Sequence, residues 1–214
     1  MHGGAAEARR NGKMRRERNT VSPAKFNLAS WVARELFSGK LFSREPFSRE
    51  AVKIILLPTG AAIVYGIVMD QITIRICPEY FTVAHPHIFN TGSLTLLALG
   101  WGVIATWWAG AIPGVAFAIA GRTGSLPKLT WRKFVRPLVI LAVIMTATSV
   151  AAGFLGAWMV NVGSLPAVQA WAMGLPLDKQ AAFMADAFAH VCSYAVGALG
   201  CLTIATAAAW KRYA

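Results

Sequence analysis

The chain has 214 residues, of which 56% are apolar and 14% charged. A typical soluble domain is about 25% charged, so this composition excludes an ordinary soluble fold. The net charge is +12, and twelve of the 21 Lys and Arg precede Ile54. Membrane topology accounts for that charge, so no nucleic-acid partner is implied.

Residues 1–24 are polar and Arg-rich and are expected to form a disordered basic tail. Beside a bilayer the tail would meet anionic lipid, at about 1 kcal/mol per Lys or Arg near the surface. Met1 and Met14 are both candidate starts. Arg9-Arg10 is not followed by an apolar core and does not read as a twin-arginine signal. Residues 25–50 follow as an interfacial helix and a hinge. Phe26, Ala29, Ala33, Leu36 and Phe37 share one face, and Gly39 is a plausible cap, as in an amphipathic helix lying on the inner membrane surface. The tandem pentapeptide Phe42-Ser-Arg-Glu-Pro46 and Phe47-Ser-Arg-Glu-Ala51 is the hinge into the first span.

Residues 51–214 then hold four apolar segments, at about 54–69, 94–120, 138–160 and 187–210. A helix needs roughly 20 such residues to cross the hydrocarbon core. The first is short and has Pro58 near its inner end. Lys and Arg number twelve in the tail, one in loop 71–93, five in loop 121–137, one in loop 161–186 and two at the C-terminus. The alternation follows the positive-inside rule and puts both termini and the middle loop in the cytoplasm. The expected fold is therefore an all-α membrane protein, four transmembrane helices in one bundle, N-in and C-in, with an interfacial amphipathic helix before it.

Small residues recur every four positions along three of the spans. They are Gly102, Thr106, Gly110, Gly114 and Ala118 in the second, Ser149, Gly153, Ala157 and Asn161 in the third, and Ala189, Ser193, Gly197, Cys201, Ala205 and Ala209 in the fourth. In lipid such stripes mark helix contact faces. Pro113 is expected to kink the second span. Trp101, Trp158 and Trp210 fit interface positions, whereas Trp107 and Trp108 fall mid-span and read as packing bulk.

The polar groups gather on the outward side. Asp70, Glu79, Asp178 and Asp186 lie there, as do His85, His87 and His190. Ile72, Ile74 and Ile76 alternate with polar residues, so either a short strand or a continuation of the first helix to Pro78 is open. Asp186 and His190 are four apart and share a helix face, where the carboxylate can fix the imidazole tautomer. Asp70, Glu79, His85, His87, Asp186 and His190 are thus the candidate ligands for a divalent metal such as Zn, Mn or Fe(II). The alternative for the same residues is solvated loop groups, with Asp186 as the N-cap of the fourth helix. No HExxH, Ser-His-Asp order, phosphate loop or dinucleotide fingerprint is present.

The stretch Asp70-Gln71, Thr73, Arg75, Cys77, Glu79-Tyr-Phe-Thr82 and His85-Pro86 resembles the outer loop of a family of bacterial multi-pass inner-membrane proteins with no established activity. Ala98-Leu-Gly-Trp-Gly-Val-Ile-Ala-Thr-Trp-Trp108, and Ala189-His190 with Ser193-Tyr194 and Gly197, resemble the same family. Ala84 departs from it, where the family has Gly. The resemblance covers the chain from about residue 54 and implies a bacterial inner-membrane protein, with no catalytic residue to carry over.

Three functions are compatible with these residues. The first is a non-enzymatic partner-binding or sensing protein, in which Tyr80 and Phe81 of the outer loop meet a membrane-protein partner or a second copy. The second is a metal-binding protein or metalloenzyme. The third is a small transporter or channel, against which every acid lies at a span end.

Overall fold

The structure, a computed structural model, describes residues 48–164 and 174–213. The tail, the expected interfacial helix and most of the tandem pentapeptide lie outside the described residues. Within them the fold is all-helical: α1 is Arg49–Ile76, α2 Pro78–Thr82, α3 Leu94–Ile104, α4 Trp107–Arg122, α5 Arg132–Asn161 and α6 Leu177–Tyr213. Four stretches are long and apolar enough to cross a bilayer: α1, α3 with α4, α5, and α6. We call the end carrying residues 77–93 the loop end, and the end carrying residues 123–131 the basic end.

Two of these helices run well past their apolar stretches. Ser48 caps α1, its hydroxyl accepting from the Ala51 amide at 3.3 Å. The helix then runs through Asp70 to Ile76 with no strand, because its polar residues find partners on the way. Asp70 and Thr73 turn inward and are buried. Gln71 donates to the Thr95 carbonyl at 2.9 Å, and Arg75 donates to Thr95 Oγ1 at 3.3 Å. Of the three alternating isoleucines, Ile74 is buried and Ile72 and Ile76 are exposed, as a helix turning by 100° per residue requires. Similarly, α6 starts at Leu177 and not near Ala187. Asp178 occupies its first turn, and Asp186 is an interior residue, not an N-cap.

The second crossing is interrupted. The helix stops at Ile104 and resumes at Trp107, with Thr106 at φ −119° and ψ −18°. It continues through Pro113, so the interruption falls seven residues before the proline that the sequence singles out. The Ala105 carbonyl at the interruption accepts from Tyr194 Oη on α6 at 2.9 Å.

Small residues set the packing. The stripe of the second crossing lies against α1: Gly102 meets the backbone of Ile67, Gly110 that of Pro58 and Thr59, and Gly114 that of Ile55. On the other side Gly153 and Gly156 of α5 meet the α6 backbone at Ala185 and Met184. The chain therefore makes two close helix pairs, α1 with α3 and α4, and α5 with α6.

The two pairs join at both ends. At the basic end Ile54, Phe117, Ala120, Phe134, Ala208 and Ala209 form one buried cluster, with Phe117 and Phe134 stacked at 5.1 Å. There the Arg212 guanidinium donates to the carbonyls of Ala120, Thr123, Leu126 and Pro127. At the loop end Cys77, Phe183, Met184 and Ala187 form a second cluster, with Tyr80 against it. Midway, Ser149 and Ser193 share a 2.6 Å hydrogen bond and Tyr65 reaches Ser193 at 3.0 Å, which ties α1, α5 and α6. Between these tie points the pairs stand apart and leave a partly open cavity.

Candidate functional site

The cavity has a volume of about 440 Å³ and draws lining residues from all four crossings. Its wall is apolar over most of its length, with Met69, Leu141, Met145 and Ala198 among the lining side chains. Its polar groups concentrate toward the loop end, where Asp70, Tyr80, His85, Trp101 and His190 converge.

Each of these five residues is positioned by a different local feature. Asp70 stands on the loop-end part of α1 and is 7% exposed. Its Oδ1 lies 3.5 Å from His190 Nε2 on α6. Thr73, one turn beyond Asp70, places its hydroxyl 3.4 Å from the same nitrogen and donates to the Met69 carbonyl at 3.0 Å. The carboxylate beside His190 is therefore Asp70 from another helix, not Asp186 one turn away. Asp186 does not face His190: it is 1% exposed, and its carboxyl lies by the Cys77 backbone amide. Its charge still acts on the phenol of Tyr80.

Short helix α2 and the segment after it cap this end. Pro78 starts α2 where its missing N–H costs nothing. The helix carries Tyr80 and Phe81 inward: Phe81 is 3% exposed, and the Tyr80 ring lies 4.8 Å from His190 and 5.5 Å from Phe183. These two aromatics, expected on a contact surface, face the interior. His85 folds back beneath them. Its Nδ1 is 2.9 Å from the Tyr80 carbonyl, which can only accept, so Nδ1 carries the hydrogen and Nε2 of a neutral ring is left as an acceptor. The ring stacks on Phe81 at 5.7 Å and meets Trp101 edge-on at 4.7 Å. Trp101, which the sequence places at an interface, is 8% exposed, and its indole Nε1 has no acceptor among the described residues.

Of the six candidate metal ligands, Asp70, His85 and His190 line the cavity, whereas Asp186, Glu79 and His87 do not. Glu79 faces Lys179 at 3.4 Å and accepts from the Cys77 thiol at 3.4 Å. Its own backbone amide, then the Cys77 contact and the Lys179 charge, hold its carboxyl below the usual range against a small desolvation penalty. His87, two residues past His85, is exposed. Among the described residues no group of three or more His, Cys, Asp and Glu is placed to hold a metal ion. Burial pushes the Cys77 thiol up to about 11 and drives the Tyr80 phenol upward too, with the Asp186 and Asp70 charges adding to the latter.

Sequence reasoning missed Thr73, Trp101 and the mid-bundle hydroxyls of Tyr65, Ser149 and Ser193. Thr73 had a usable signal, since it follows Asp70 by three and shares its helix face. For Trp101 the sequence carries no comparable signal.

No family model matches the sequence, no curated protein matches it, and no solved structure matches the fold. The function is therefore argued from the cavity itself.

Proposed function

We propose that this chain is a non-enzymatic binding or sensing protein of a bacterial inner membrane. Both termini and loop 121–137 lie in the cytoplasm, and a small, mainly apolar molecule binds within the bundle. The observation that carries this reading is the cavity of about 440 Å³, apolar along its wall and polar at the loop end. Its size falls in the range of small-molecule sites, and convergent polar groups in an apolar pocket are their usual form. The interrupted second crossing supports it, because irregular backbone at membrane depth is tolerated where it lines a cavity, and Ala105 and Thr106 line this one.

The test uses the neutral probe N-phenyl-1-naphthylamine, whose fluorescence rises in apolar sites, with protein purified in mild detergent. The probe is expected to bind in about one equivalent, and Ala109→Phe and Ala198→Phe, which fill the cavity from two walls, to abolish the signal. Undiminished binding in both filled variants would refute the site. For the orientation, cysteines introduced at His87 and Lys128 should label from opposite faces of inverted and intact vesicles.

A second reading rests on the exposed side of the loop, where Val83 is 65% and Ile88 53% exposed beside His87. These residues suit contact with a membrane-protein partner or a second copy. A monomer with nothing co-purifying in gentle detergent would count against it.

A further inference from the structure

We propose that the molecule held in the cavity is a lipophilic cation, an amine or quaternary ammonium attached to an apolar body and an acceptor oxygen, with Asp70 as its counter-charge. The inference rests on the cavity reading above and adds the chemistry of the occupant.

The first argument is charge. Among the described residues Asp70 is the acid that lines the cavity, and no Lys or Arg does. Its polar neighbour among the described residues is His190, at the long distance of 3.5 Å, and Thr73 competes for the same nitrogen. The nearby basic side chains are engaged elsewhere: Arg75 with Gln71 and Thr95 on the exposed side of α1, and Lys179 with Glu79. A low-dielectric pocket with a carboxylate and, among the described residues, no Lys or Arg favours a positive guest over a negative one.

The second argument is the wall. Tyr80, Phe81 and Trp101 surround the polar end, and Trp108 stacks on Tyr194 further along at 5.9 Å. Aromatic faces attract ammonium groups, quaternary ones included, while accepting the apolar remainder of the same molecule.

The third is independent of charge. Trp101 Nε1 is a buried donor with no acceptor among the described residues, and its side chain lines the cavity. A buried donor is normally satisfied, so the guest is expected to supply an oxygen. Asp70 and Trp101 both line the cavity, so one molecule carrying a nitrogen and an acceptor oxygen would answer both.

The decisive comparison is between benzoylcholine and 3,3-dimethylbutyl benzoate, which have the same shape and the same ester and differ in charge alone. Each displaces N-phenyl-1-naphthylamine from the purified protein, with partitioning into empty micelles subtracted. We expect the cation to bind at least about tenfold tighter, the ratio that 1.4 kcal/mol of charge recognition gives. Asp70→Asn should erase that ratio, whereas Trp101→Phe should weaken both ligands and leave the ratio in place. If the neutral ester binds as well as the cation to the unaltered protein, the cation proposal is overturned while the cavity reading survives. If neither ligand nor the probe binds, both fall. A folded Asp70→Asn variant that keeps the preference would remove Asp70 from the role.

Discussion

Replacing Gly102 with Ala tests whether the two crossings of the first helix pair touch backbone to backbone. An added Cβ would lie 2.6 Å from Ile67 Cα and 2.7 Å from Ile67 N. Carbon atoms rest at about 3.5–4.0 Å from one another, so α1 and α3 would have to part by roughly 1 Å. The obstacle is main chain, which has no rotamer to change. Overpacking of this kind costs about 1–3 kcal/mol, offset by roughly 0.5–1 kcal/mol of helix propensity gained on losing a glycine. Gly60 is the matched control, since a Cβ there meets nothing within 4 Å. Gly60→Ala should keep the propensity gain without the clash, so the two variants should differ by about 1–3 kcal/mol. Reversible unfolding in mixed micelles reads that difference directly. Equal stability for Gly102→Ala and Gly60→Ala would show that α1 and α3 do not pack through this stripe, and would remove the basis for the cavity's wall.

Arg212 is 5% exposed and donates to four carbonyls, Ala120 in the last turn of α4 and Thr123, Leu126 and Pro127 after it. Hydrogen bonds from a charged group are worth about 1.5–3 kcal/mol, so Arg212→Met should lower the melting temperature clearly and open the 123–127 turn to protease. Arg212→Lys should recover part of the loss, lacking the planar fork; full stability in the Met variant would contradict the geometry. Tyr194→Phe removes the donor to the Ala105 carbonyl and should cost about 0.5–1.5 kcal/mol, read by the same unfolding assay. An unchanged midpoint would show that this bond does not support the interrupted helix. Cys77 is free and buried, its thiol held near 11 against an ordinary value of 9.0. The unfolded chain thus loses this proton first, and stability from Cys77 should be full below pH 9 and fall as pH rises through 11. In labelling, Cys77 should resist iodoacetamide at pH 8 until the protein unfolds, and rapid alkylation of the native protein would count against its burial.

The sequence by itself determined four helices long and apolar enough to cross a bilayer, because a run of about 20 apolar residues has few other stable outcomes. The four-residue stripe in the second crossing told which face meets α1, since close backbone approach needs a missing side chain, whereas Ser193, Gly197 and Cys201 of the fourth stripe line the cavity instead. Helix ends were less legible. Apolarity marks where a helix can sit in lipid, whereas α1 and α6 continue through Asp70, Thr73 and Asp186, which are buried against neighbouring elements that the sequence does not display. The interruption at Thr106 also escaped, because Pro113 was the conspicuous breaker.

At the site, the i,i+4 spacing put Asp186 and His190 on one face of α6. Tertiary packing decided that the carboxylate facing His190 is Asp70, 120 positions earlier in the chain. It likewise turned Tyr80 and Phe81 inward, left Glu79 and His87 outside, and brought Trp101 to the polar end of the cavity. Spacing along a helix is a local property that the chain carries in its order of residues. The facing of residues on different helices depends on how far the two pairs stand apart, and that distance is set by the clusters at both ends of the bundle together.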